Sequence, residues 1–181
     1  MNIAMTLQMA ASNGDRPAVT ADGRSLSAAR LLDLARAAAG RFRDYPAVLY
    51  LGTSHLAYPV ALFGAALAGV PFVPLNYRLG GQQLDGLRTR HPGALVLGSG
   101  DLDQLLDPPG PANSECPAPD GQSAAVLLYT SGTTAAPKAA VLRHRHLLAY
   151  VLNTVEFGSA ADGDAALVAV PPYHVAGWRT C

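Results

Sequence analysis

From Tyr45 to Tyr77 the chain carries no Asp, Glu, Lys or Arg, and no other feature restricts the fold so tightly. Within it, "LAYPVALFGAALAGVPFVPL" is long enough to cross a bilayer. Pro59, Gly64, Gly69, Pro71 and Pro74 interrupt it, and the last two prolines stop any helix near Gly69. The apolar helix that survives, around Leu56 to Ala68, is about a dozen residues long, a length suited to a buried core helix rather than a transmembrane span. "AVLYLG" before it is a continuous apolar run, as in a strand covered on both faces, and "FVPL" after it is a second such strand. Strand, helix and strand together predict a β-α-β unit with a crossover.

The flanks extend this pattern. "PAVTADGRSLS" predicts a hairpin from Pro17 to Thr20, turning at Asp22-Gly23 and returning through Leu26. Ser27 is placed to cap a helix whose Ala28, Leu31, Leu32, Ala35, Ala38, Ala39 and Phe42 keep helical spacing. A weaker second unit follows, with "GGQQLDGLRTR" as a polar-faced helix and "ALVLG" (Ala94 to Gly98) as its strand. The stretch 107–121, "DPPGPANSECPAPDG", is a surface loop or linker. "SAAVLLYT" is then a strand, "KAAVLRH" is extended, "HLLAYVLNTVEF" a helix, "AALVAV" a strand and "PPYHVAGW" a turn. Alternating strands and helices predict an α/β fold with a parallel-rich sheet and flanking helices.

Charge and cysteine content narrow the function classes. Thirteen basic and thirteen acidic residues cancel, so no electrostatic footprint for nucleic acid is present. Charged residues are 14% of the chain and hydrophobic ones half, the composition of a protein that buries most faces or of a fragment whose missing part covers it. Cys116 and Cys181 form neither a CxxC pair nor a metal spacing. "MNIAMTLQMAASNGDRP" lacks the basic start and sustained apolar run of a signal peptide, so the expected location is cytoplasmic.

The chemistry concentrates at "YTSGTTAAPKAAV", Tyr129 to Val141. A strand that ends in Thr130, Ser131, Gly132, Thr133 and Thr134 offers hydroxyls and a run of backbone N–H groups, and Lys138 adds a compact positive charge. Such a nest binds phosphates; the alternative is a Ser/Thr-rich surface turn with a solvated lysine. The Walker A pattern fails here, because Pro137 stands where its glycine precedes the lysine and Ala139 where a hydroxyl would hold magnesium. His144 and His146 form an H-x-H that could ligate a metal or, with no further ligand nearby, serve a helix start.

"YTSGTTAAPKAAVLRHRHLLA" resembles the phosphate loop of the adenylate-forming superfamily, the acyl-CoA synthetases and their relatives. Tyr129 to Thr134, Pro137, Lys138 and Val141 match its Tyr-Thr-Ser-Gly-Thr-Thr-Gly-x-Pro-Lys-Gly-Val pattern, and His144 and Leu147 match the helix start after it. "LFGAALAGVPFVPLNYRL", "PPYHVAGW" (Pro171 to Trp178) and the opening hairpin and helix resemble further segments of that family in the same order.

The resemblance implies the N-terminal subdomain of the adenylate-forming ligase fold: 1–181 as a partial AMP-binding domain with the C-terminal domain absent. It implies ATP-dependent activation of a carboxylic acid, with fatty acids favoured, to an acyl-adenylate and then to a coenzyme A thioester. ATP, Mg²⁺ and coenzyme A are the implied cofactors. Thr130, Ser131, Gly132, Thr133, Thr134 and Lys138 would hold the β- and γ-phosphates, with Lys138 and His174 the candidate catalytic residues. No metal ligand is assigned. His174 gates substrate on this reading, and otherwise packs in a proline-rich turn. Ala135 and Ala139 stand where the family has glycine and His146 where it has asparagine. The family's magnesium-binding glutamate, ribose-binding aspartate and C-terminal lysine segments find no counterpart, so the chain alone is expected to be inactive. Its apolar Tyr45–Tyr77 stretch is expected to leave surface open for self-association or a complementing C-terminal chain. A non-catalytic nucleotide-binding module that pairs with another chain is the alternative.

Overall fold

The computed structural model describes residues 1–12, 15–108, 120–130, 137–155 and 164–174. Strands β1 (Pro17–Ala21) and β2 (Arg24–Ser27) form the expected antiparallel hairpin. Its two-residue turn has Asp22 at φ 50° and Gly23 at φ 72°, the left-handed pair that matches strand twist. Helix α2 (Ala28–Phe42) begins where the Ser27 hydroxyl accepts from the Arg30 amide at 3.2 Å. The apolar positions read from its spacing are buried, Leu34 with them.

The uncharged stretch forms the centre of the molecule. Strand β3 (Val48–Tyr50) lies fully buried and pairs in parallel with β4 (Phe72–Pro74). Helix α3 (Ala57–Ala68) makes the crossover and ends at Gly69, whose φ of 75° suits a glycine cap. Part of the cover that this apolar stretch needs is supplied within the chain. Ala57, Val60, Ala61 and Ala65 are each 0% exposed, because α2 covers α3 within the same chain. Among the described residues no helix is long and apolar enough to cross a membrane.

Helix α4 (Gly81–Arg88) then carries the chain to β5 (Leu95–Leu97), parallel to β3 on the side away from β4. Strand β6 (Ala124–Thr130) pairs in parallel with β4, and β7 (Lys138–Arg143) runs antiparallel beside it. The five-stranded order is β5-β3-β4-β6-β7. One face of the sheet packs in a large core with α2 and α3; the other, including Leu49, Val73 and Leu75, packs with Leu87 of α4.

Two helices escaped the sequence reading. Helix α1 (Ala4–Ala11) buries Ala4 and Leu7 but exposes Met5 and Met9, so its apolar residues lie all round it and show no stripe. It is tied down by Asn2, whose amide donates to the Ala66 carbonyl at 3.2 Å while its oxygen accepts from the Ala4 amide at 2.6 Å. Helix α5 (Ser99–Leu106) starts among glycines, but Asp101 accepts from the Gly98 amide at 3.0 Å, and Leu102, Leu105 and Leu106 are buried. Conversely, "AALVAV" is not a strand: Ala165 to Ala169 are exposed, Leu167 at 87%, and no described strand pairs with them. An apolar run of this kind becomes a strand only where a neighbour takes its backbone hydrogen bonds. Most of 107–121 lies outside the described residues.

Candidate functional site

The Ser/Thr-rich loop connects the two limbs of the β6–β7 hairpin. Thr130, the last residue of β6, pairs with Lys138, the first of β7, and the Thr130 hydroxyl donates to the Lys138 carbonyl at 3.4 Å. Directly paired residues of an antiparallel ladder share a face. Thr130 and Lys138 thus stand on the face of Leu128, Ala140 and Leu142, three residues that line a cavity of about 740 Å³. Both are exposed, so the Lys138 ammonium can meet an anion from solvent. Ser131, Gly132, Thr133, Thr134 and Ala135 lie outside the described residues. Ala139 occupies a regular strand position opposite Tyr129, and among the described residues Asp22 is the sole non-glycine with positive φ.

The cavity sits outside the carboxyl ends of the adjacent parallel strands β4 and β6, the position where open α/β sheets bind ligands. Asn76 and Leu79 reach it from beyond β4, Gln83 and Leu87 from α4, and Tyr173 and His174 from the far end of the described chain. Two contacts fasten that last segment, and a third closes its turn. The Tyr58 hydroxyl of α3 donates to the Pro172 carbonyl at 3.1 Å; the Tyr77 and Tyr173 rings meet edge to face at 5.6 Å; the His174 amide donates to the Pro171 carbonyl at 3.0 Å. His174 is exposed and lines the cavity with Thr130, and is not packed inside its turn.

The two histidines at the head of helix α6 (His144–Thr154) separate in role. His146 Nδ1 accepts from the Arg143 amide at 3.3 Å, the helix-start function expected of it. His144 is 0% exposed and neither of its ring nitrogens has a hydrogen-bond partner. Burial, and then the positive amino terminus, hold its pKa below the ordinary value. Among the described residues no three His, Cys, Asp or Glu side chains cluster as a metal site.

Sequence reasoning missed Arg90 and His91, which follow α4 and reach both limbs of the hairpin. Arg90 Nη1 donates to the Pro137 carbonyl at 2.6 Å, and its guanidinium lies 5.9 Å from the centre of the Tyr129 ring. His91 Nε2 is 2.8 Å from the Tyr129 hydroxyl. Burial, and next the Arg90 charge, lower the His91 pKa below its ordinary value. Nothing local in "RTRHPG" points to this role, because the contacts span 38 and 47 positions of chain.

Residues 91–181 match the family described as AMP-binding enzyme. A feruloyl-CoA synthase from an Amycolatopsis species is 36% identical over 169 residues, covering 82% of this chain and 33% of its own length. This chain belongs to the AMP-binding enzyme family. The fatty acid–[acyl-carrier-protein] ligase ScoC of Streptomyces coeruleorubidus is 28% identical over 198 residues, covering 91% of this chain and 38% of its own. The fold is shared with ATP-bound MatB from Rhodopseudomonas palustris: TM-score 0.79 at 23% identity, over 99% of this chain and 42% of that one. The chain therefore spans about a third of the length of the curated relatives it matches. The α/β, parallel-rich N-terminal architecture expected from the sequence is the one observed.

Proposed function

We propose that this chain supplies the phosphate-gripping part of an AMP-forming acid–CoA ligase. The carrying observation is the β6–β7 hairpin, which pairs Lys138 with Thr130, a residue that lines a cavity together with His174. In the proposed reaction the acid's carboxylate attacks the α-phosphorus of ATP, giving an acyl-adenylate and pyrophosphate; the thiol of coenzyme A then takes the acyl group and AMP departs. Negative charge builds on the leaving pyrophosphate, and a lysine with aligned N–H and hydroxyl donors stabilises it where it develops. Lys138 supplies the charge, with Thr130, Ser131, Gly132, Thr133 and Thr134 as the donors. His174 lines the cavity beside Tyr173, and on this reading it faces the acyl group. The magnesium that accompanies ATP is assigned to no residue of this chain. A hydrophobic acid, fatty or aromatic, fits the largely aliphatic and aromatic lining, and the relatives named for feruloyl and fatty acids support that class.

Calorimetric titration with ATP and with pyrophosphate tests the grip. A charge-assisted contact to phosphate is worth roughly 1.5–3 kcal/mol, so Lys138→Ala lowers affinity about ten- to hundredfold. Equal affinity in wild type and variant would remove Lys138 from the site. Pyrophosphate release from ATP with a fatty acid or ferulate then separates two readings. Release only when a polypeptide carrying the family's downstream motifs is added supports the ligase; binding without release in either case supports a nucleotide-binding module that pairs with another chain.

A further inference from the structure

We propose that Arg90 and His91 are positioning residues, a two-point clamp that sets the spacing of the β6 and β7 limbs and thereby aims Lys138. The clamp rests on the phosphate-binding reading for its purpose, though not for its existence. Each residue grips the position just before one of the paired site residues: His91 holds Tyr129, next to Thr130, and Arg90 holds Pro137, next to Lys138. At the open end of the hairpin the Thr130 hydroxyl adds a bond between the paired limbs, a long one at 3.4 Å. The Arg90 contact fixes direction as well as distance. A trans peptide points its C=O and N–H to opposite sides, so anchoring the Pro137 carbonyl also orients the Lys138 amide and the chain that leaves it. The guanidinium suits the task, since its donors are held in a rigid planar fork that can bond a carbonyl while the charge lies over an aromatic ring.

The base of the clamp is firm. Leu87 is 2% exposed against the sheet, and successive backbone bonds, Arg90 N–H to Leu87 O at 3.2 Å and His91 N–H to Arg88 O at 2.9 Å, extend that anchorage to both residues. The Ala94 amide donates back to the His91 carbonyl at 3.1 Å, and the chain then enters β5. The clamp thus ties the hairpin at one end of the sheet order to the connection leading into the opposite edge strand.

Hydrogen exchange followed by mass spectrometry on the full chain, with peptides covering 124–130 and 138–143, tests the clamp without any ligand. Arg90→Gln and His91→Phe are expected to speed exchange there about tenfold or more, with Arg90→Lys intermediate, while β3 and β4 keep their protection. Unchanged exchange at the hairpin in both Arg90→Gln and His91→Phe overturns the clamp. So does faster exchange that extends equally to β3 and β4, which marks a merely structural role. A pyrophosphate titration of Arg90→Gln, Lys138→Ala and the double variant adds the functional readout. If Arg90 acts through Lys138, its substitution weakens binding in the wild-type background and has little further effect once Lys138 is gone. Fully additive losses would make Arg90 a direct phosphate contact and overturn the positioning role. Should the wild type bind no pyrophosphate, the phosphate reading falls and the exchange result alone decides the clamp.

Discussion

Gly64 of α3 faces α2 closely, and replacing it by alanine tests how tightly the two helices are packed. A Cβ built on Gly64 lies 2.8 Å from the Ala38 Cβ, 3.1 Å from Phe42 Cε2 and 3.3 Å from the Ala35 carbonyl oxygen. The first contact is far inside van der Waals range, and its partner is a methyl with no rotamer to yield. The third partner is backbone of a helix whose Ala35 and Phe42 are both 0% exposed. Relief must come from moving the helices apart, and overpacking of that kind costs about 1–3 kcal/mol. Alanine's higher helix propensity returns about 1 kcal/mol. With two of the three neighbours unable to move, the cost falls in the upper part of its range, leaving a net destabilisation of about 1–2 kcal/mol. For a chain of this size that lowers the melting temperature by about 2–8 °C. Ala38→Gly in the same chain removes the closest clash, so the double variant recovers part of the loss that the two single changes together predict. Thermal unfolding of the four proteins by circular dichroism measures both quantities. A melting temperature for Gly64→Ala equal to or above wild type, or strictly additive effects in the double variant, would refute the close-packed interface.

Other consequences follow from particular side chains. His144→Leu replaces a fully buried imidazole with two unpartnered nitrogens by an apolar group, and is expected to raise stability at pH 7 by about 1 kcal/mol in urea unfolding. His144 and His91 both have folded-state pKa values below the ordinary 6.5, so as pH falls through 6.5 the unfolded chain takes up protons that the folded one refuses. Stability therefore declines on the acid side of about pH 6.5; His144→Leu shallows that decline, and His91→Phe shallows it further, as unfolding midpoints between pH 5 and 7.5 will show. Tyr58→Phe removes the bond to the Pro172 carbonyl at a cost of about 1 kcal/mol, and frees the Pro171–His174 turn, so exchange of the His174 amide quickens while β3 is unaffected.

Local chemistry carried much of this protein into legible form. The hairpin at Asp22-Gly23, the Ser27 cap and the strands flanking α3 depend on short-range rules of turn geometry, capping and continuous apolarity, and each lies where those rules put it. The order of hydroxyls, glycine, proline and lysine from Thr130 to Lys138 resembles a family motif, and the family so indicated is the one the chain belongs to. Tertiary structure decided the remainder. A run such as "AALVAV" has strand composition, but pairing is a property of its neighbours, and no described neighbour takes it up. Helix α1 has no apolar stripe to read, since it is held by Asn2 bonding to α3 rather than by periodicity. The packing of α3 against α2, with Gly64 close to Ala38 and Phe42, is likewise a product of the tertiary fold. Only the folded sheet brings His91 and Arg90 to Tyr129 and Pro137, and Tyr58 to Pro172. A contact between residues dozens of positions apart leaves no trace in the composition around either partner, because it is formed by the path of the chain between them.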